Sequence, residues 1–174
     1  LVFAGLLAAG RRALSALSAA SVLLVLCVLA MLSSQWSIAP DLSFRRGIAL
    51  LATTLLGVYL AARYDWLAAL RLLGGVWLAL MAASFLAGLL APGFGVMQDI
   101  HAGAWAGGWW EKNQLGGHAA RASFLFAFLA WRDKRYRNVW LGSIVLALAL
   151  VVLSTSKTAV LGALIGFAVL VAAW

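Results

Sequence analysis

Apolar runs about as long as a bilayer is thick recur along this chain, and only short polar connections separate them. A helix crossing a membrane needs about 20 apolar residues, or somewhat fewer when its ends snorkel. Residues 13–32, 47–62, 72–91, 115–131, 138–153 and 158–174 meet or approach that length, and residues 1–9 read as the end of an earlier span. The runs do not alternate apolar with polar, which argues against barrel strands. A soluble domain is about half apolar and a quarter charged; here 66% of residues are hydrophobic and 10% charged. The surplus has to face lipid. The expected fold is all-α: a polytopic transmembrane helix bundle of about six spans plus the end of another, with no β-sheet. The chain opens at Leu1 and closes at Trp174 inside apolar runs. Residues 1–174 are therefore expected to be a fragment of a single transmembrane domain, truncated at both ends. Recurrence of the runs excludes a signal peptide.

A net charge of +8 suggests nucleic acid at first sight. The basic residues, however, come in ones and twos between apolar runs and form no continuous basic face, so no nucleic-acid partner is expected. In a membrane protein the same excess sets topology. Arg11, Arg12, Arg63, Arg71, Arg132, Lys134, Arg135 and Arg137 fall in connections that share one side if the spans alternate. That side is expected to be cytoplasmic. The segment from Arg63 to Arg71 suits a short interfacial helix, with Tyr64 and Trp66 at headgroup level. The single cysteine, Cys27, builds no disulfide and no metal site. There is no HExxH, CxxC or paired-carboxylate pattern, so neither a metal nor a cofactor is expected.

The remaining cations oppose the positive-inside bias. Arg45 and Arg46 are expected in the first turn of a helix capped by Asp41 or Ser43. Cations there are mildly unfavourable, and an anion would offset that while using the free N–H groups of the turn. Ser154-Thr155-Ser156-Lys157-Thr158 repeats this arrangement, with Ser154 or Ser156 as cap; Asn113 and Lys112 sit at the mouth of the fourth run. His118 and Arg121, three apart, share a helix face. Arg121 lies within the apolar region, where an ionisable residue marks a functional site by default. Each cation also has a plainer reading, a side chain snorkelling to lipid phosphates. Trp105, Trp109 and Trp110 suit an aromatic belt, or stacking on sugar rings.

At these residues the chain resembles the O-antigen ligase and polymerase family of bacterial inner membranes, which includes exopolysaccharide polymerases. Residues 36–46, WSIAPDLSFRR, are similar to its "S–P–S–RR" segment. Residues 112–116, KNQLG, are similar to "HKN-x-LG", and residues 153–159, LSTSKTA, to "LS-x-SRT-A". The three follow in order and cover about residues 33–170. Glu111 stands where the family often has His, and Lys157 where it usually has Arg, which keeps the charge but loses the bidentate fork. The family's late periplasmic loop and the catalytic residues on it lie outside these residues, so the fragment alone is expected to be inactive.

The resemblance implies metal-independent glycosyl transfer at the periplasmic face. The donor is an undecaprenyl-diphosphate-linked glycan, and the acceptor is a lipid core, as in lipopolysaccharide, or another glycan. Arg45, Arg46, Lys112, Asn113, His118, Arg121, Ser156 and Lys157 would bind diphosphate or glycan, with Arg46 and Arg121 as candidate catalytic groups. Two other classes remain open: a transporter or flippase of an anionic lipid-linked substrate, and a structural membrane subunit without a site.

Overall fold

The structure, a computed structural model, describes residues 10–172, with side chains from residue 15 onward. The expected span end at residues 1–9, the side chains of Arg11 and Arg12, and Trp174 lie outside that description. The helices are α1 (Gly10–Ala19), α2 (Ser21–Leu32), α3 (Pro40–Arg63), α4 (Trp66–Leu90), the single turn α5 (Pro92–Gly95), α6 (Lys112–Arg132), α7 (Arg137–Leu153) and α8 (Lys157–Ala172). Short 3-10 turns occupy Ser33–Gln35 and Lys134–Tyr136. Among the described residues there is no strand, only an isolated bridge between Val96 and Trp105.

Among the described residues, three helices are long and apolar enough to cross a membrane: Pro40–Arg63, Trp66–Leu90 and Lys134–Leu153. Ser21–Gln35 and Lys157–Ala172 are apolar but shorter. The expected run 13–32 divides at Ala20, whose φ of −90° and ψ of 8° separate α1 from α2. α6 has the length, but Asn113, Gln114, His118 and Arg121 dilute its apolar character. Large side chains such as Val22, Val25, Val145, Val152, Leu164 and Val169 are more than half exposed. Apolar surface of that extent is suited to lipid and not to water.

The chain divides into two compact units, Leu1–Ala69 and Leu70–Trp174. In the first, α2 and α3 pack through small residues. A Cβ on Gly47 would stand 2.8 Å from Met31 Cγ, so glycine is what lets the helices approach there. Cys27 is buried in this interface, its Sγ 3.4 Å from Thr54 Oγ1. Val58 packs with Ala16, Leu17 and Ala20.

α3 begins at Pro40, earlier than expected, with proline at its first positions and no side-chain cap. Proline suits that place because its missing N–H would be unpaired anyway. Neither Asp41 nor Ser43 caps. Ser37 Oγ instead accepts from Ala39 N and bonds Ser43 Oγ at 2.6 Å. No separate interfacial helix follows Arg63. Asp65 Oδ1 accepts from Ala68 N at 2.9 Å, so the chain turns once and enters α4 at Trp66.

In the second unit α6 is the central helix. Leu115, Ala119, Ala122, Phe126 and Leu129 are buried at alternating spacings of four and three, which puts them on one face of the helix. α7 answers with Trp140, Ser143, Ala147 and Leu150. Met81 of α4 joins this core, and Gly74 of α4 leaves room for Leu129 and Trp140. Small residues bring the backbones close where no hydrophobic effect separates helix from lipid. Covered in this way by its neighbours, α6 can carry polar residues that a lipid-facing helix could not.

Candidate functional site

α6 packs against both α7 and α8 and runs parallel to α8, Gly116 lying against Ala159 and Phe124 against Gly166, so Lys112 and Lys157, each the first residue of its helix, lie at one end of the second unit. Arg132, Lys134, Arg135 and Arg137 lie at the other end. Two of the sequence motifs are in contact at the first end. Ser156 Oγ donates to Asn113 Oδ1 at 2.9 Å. A Cβ on Gly116 would come within 2.6 Å of Ser154 Oγ and 2.9 Å of Ala159 Cβ, so only glycine fits between the segments.

The turn before α8 is built from its hydroxyls. Ser154 Oγ donates to Val151 O at 2.7 Å and accepts from Ser156 N at 3.3 Å. Ser156 Oγ caps α8 by accepting from Ala159 N at 3.4 Å, and lies 3.1 Å from Thr158 Oγ1. Both serines are buried, so Ser156 holds the turn together and does not face outward. Thr155, between them, is exposed and has a φ of +50°. A β-branched residue rarely adopts that region and does so at a cost of about 1–3 kcal/mol. Lys157 is exposed and stands at the head of an open groove of about 300 Å³, lined by Thr155, Val160, Leu161 and Leu164.

Residues 92–111 fold back onto α4 as a hydrogen-bonded loop. Met97 N donates to Ala104 O at 2.8 Å, Ala106 N and Gly107 N both donate to Gly95 O at 2.9 Å, and Trp105 N donates to Leu153 O at 3.1 Å. Ser84, Ala87 and Gly88 form a small-residue stripe that admits it: Gly95 abuts the Ala87 backbone, Gly107 abuts Ser84, and the Trp105 ring lies over Gly88. Gly107 has a φ of +61°, which a side chain would resist. The three tryptophans therefore separate. Trp105 packs inward against Phe85. Trp109 donates its indole N–H to Ser84 Oγ at 3.2 Å and stacks on His118 with centroids 4.1 Å apart. Trp110 is 90% exposed. His118 also meets Trp77 at 5.4 Å, and its Nδ1 is buried without a partner.

Arg121 is exposed, and its Nε donates to Gly117 O at 3.0 Å. The guanidinium is thus drawn back toward the Lys112 end, the direction helical side chains lean. Arg45 and Arg46 belong to the first unit. Because α3 starts at Pro40, they fall in its second turn, where backbone N–H groups are already bonded within the helix. The backbone donors expected to assist an anion there are not at their level. Both arginines are exposed, and no ion pair joins Asp41 to Arg45.

Sequence reasoning missed one polar cluster at the opposite end of the second unit. Arg71 clamps Asp133 with two bonds, Nε to Oδ2 at 2.7 Å and Nη2 to Oδ1 at 2.8 Å, and Trp140 Nε1 adds a third to Oδ2 at 3.1 Å. Asp133 is 1% exposed. The Arg71 bond holds its carboxyl below the usual carboxylate range, with help from Trp140 and against the opposing effect of burial. Arg71 and Arg135 both lie over the Tyr136 ring. The available signal was Asp133 itself, a lone acid inside the basic run Arg132–Arg137.

Comparisons with protein-family models, curated proteins and solved structures match nothing. A functional reading therefore rests on the residues of this chain.

Proposed function

We propose that the protein is part of a multi-spanning enzyme of the bacterial inner membrane, crossing about six times in this stretch, that transfers glycan from an undecaprenyl-diphosphate-linked donor at the periplasmic face. The acceptor is a sugar hydroxyl on a lipid core or a growing chain. Its oxygen bonds the anomeric carbon as the bond to the diphosphate breaks; the electron pair leaves with the lipid diphosphate and the hydroxyl proton passes to solvent. What the chain must supply is stabilisation of the leaving charge, and cationic side chains do that.

The observation that carries this reading is the junction of residues 112–116 with residues 153–159 through the Asn113–Ser156 bond and Gly116. It sets Lys112 and Lys157 at the same end of the unit, away from the basic turn at Arg132–Arg137. The apolar groove below Lys157 adds support, since a cation heading an apolar channel suits a lipid that carries phosphate. The test is incubation of the purified full-length protein with lipid-diphosphate-linked glycan and acceptor in excess chelator. Glycan-extended acceptor and free lipid diphosphate should form in equal amounts. Absence of product, or its loss on chelation alone, would refute the reading.

A further inference from the structure

Outside the cationic end, the loop over α4 forms a recess that matches a different chemistry. It measures about 230 Å³ and is lined by Phe94, Gln98, Asp99, Trp109 and Trp110 among others. Drug-sized pockets run about 300–1,000 Å³, so this one suits a single ring. Its walls are rigid for a loop. The backbone bonds of residues 95–107 close it, and the stack of Trp109 on His118 fixes one indole. Gln98 Nε2 donates to Pro92 O at 3.2 Å and Val96 O at 3.0 Å, which fixes its amide and leaves Oε1 as an acceptor. The Asp99 side chain is exposed, and no hydrogen bond or ion pair engages it. Phe94 and Trp110 are 69% and 90% exposed.

No cation lines this recess. A carboxylate there repels phosphate, so a lipid headgroup or the donor's diphosphate is the wrong ligand. What remains favourable is a neutral ligand with apolar C–H faces for the rings and several hydroxyl donors for Asp99 and Gln98 Oε1. We propose that this recess is a binding subsite for one neutral sugar ring, and that it holds the glycan beside the transfer site. Its place beside that site rests on the transfer reading; the binding itself does not.

The experiment is saturation-transfer NMR on the full-length protein in lipid nanodiscs, with empty nanodiscs as blank. The probes are the methyl glycosides of glucose, galactose, mannose, rhamnose and N-acetylglucosamine, with choline as the cationic competitor. At least one glycoside should receive saturation at its ring C–H protons. Trp110→Ala and Asp99→Ala should each weaken that binding by about tenfold or more, or about 1.4 kcal/mol. Both side chains are exposed, so these variants keep the fold. Ile100→Ala, at the exposed tip of the same loop and outside the recess, should bind as wild type. No saturation of any glycoside, binding unchanged in both variants, or displacement of the sugar by choline would overturn the proposal. Sugar binding without glycan transfer would sink the enzyme reading alone; transfer without sugar binding would sink the subsite alone.

Discussion

Arg71→Ala should destabilise the full-length protein in detergent by about 3 kcal/mol, the lower end of what breaking a buried ion pair costs. The lower end applies because 39% of the Arg71 side chain is exposed, against 1% for Asp133. The variant leaves a carboxylate shielded from solvent with Trp140 as its remaining side-chain partner. Arg71→Lys should fall between, because an ammonium cannot make both bonds of the fork. Replacing Arg71 and Asp133 with Leu and Trp140 with Phe should recover most of the loss, since an apolar cluster avoids desolvating the charges. The midpoint of thermal unfolding reads all three variants. The pH dependence follows from the lowered pKa of Asp133. A carboxyl with a depressed folded-state pKa stabilises above its unfolded value of about 4 and loses that contribution as pH falls through the folded value. Stability from this group should therefore be flat near neutrality and decline only in acid. Arg71→Ala should abolish that acid-dependent component.

Under the transfer reading proposed above, Arg46→Ala and Arg121→Ala should each lower glycan transfer by about a hundredfold, or roughly 3 kcal/mol of transition-state charge stabilisation. The lysine variants should lose less, because they keep the charge and give up only the planar fork. Both arginines are exposed, and Arg121 bonds only the carbonyl of Gly117 in its own helix, so membrane levels and thermal midpoints should stay at wild type. That combination separates chemistry from folding. Wild-type transfer in both alanine variants would mean that these side chains anchor to lipid phosphates and take no part in the reaction.

The all-helical architecture was legible because a bilayer imposes one length and one composition on whatever crosses it. The motif junction was half legible. Residue order placed Lys112 and Lys157 at helix starts, but not the inward turn of Ser156, which depends on Thr155 adopting a positive φ. The start of α3 was misjudged because Asp41 and Ser43 offered themselves as caps, while Pro40 needed none. The division of residues 13–32 at Ala20 left no mark in an apolar run. The Arg71–Asp133–Trp140 cluster was hidden for another reason: its arginine and aspartate lie 62 positions apart, and arginines beside a membrane span are first read as topology signals. The loop over α4 was not legible in the sequence. The Ser84, Ala87 and Gly88 stripe that receives it looks like ordinary span composition until the loop is in place.

Everything proposed for Lys112, Arg121 and Lys157 requires their end of the second unit to face the periplasm. Labelling single-cysteine variants of the full-length protein in intact cells with a membrane-impermeant maleimide tests this most directly. Ile100→Cys sits at the 92%-exposed tip of the loop at that end, and Lys134→Cys in the exposed basic turn at the other. Cys27 is buried and should stay unlabelled. The expected result is labelling at position 100 in intact cells and at position 134 only after permeabilisation. Labelling at 134 in intact cells, with 100 protected until the membrane is opened, would reverse the orientation and remove the basis for a periplasmic transfer site.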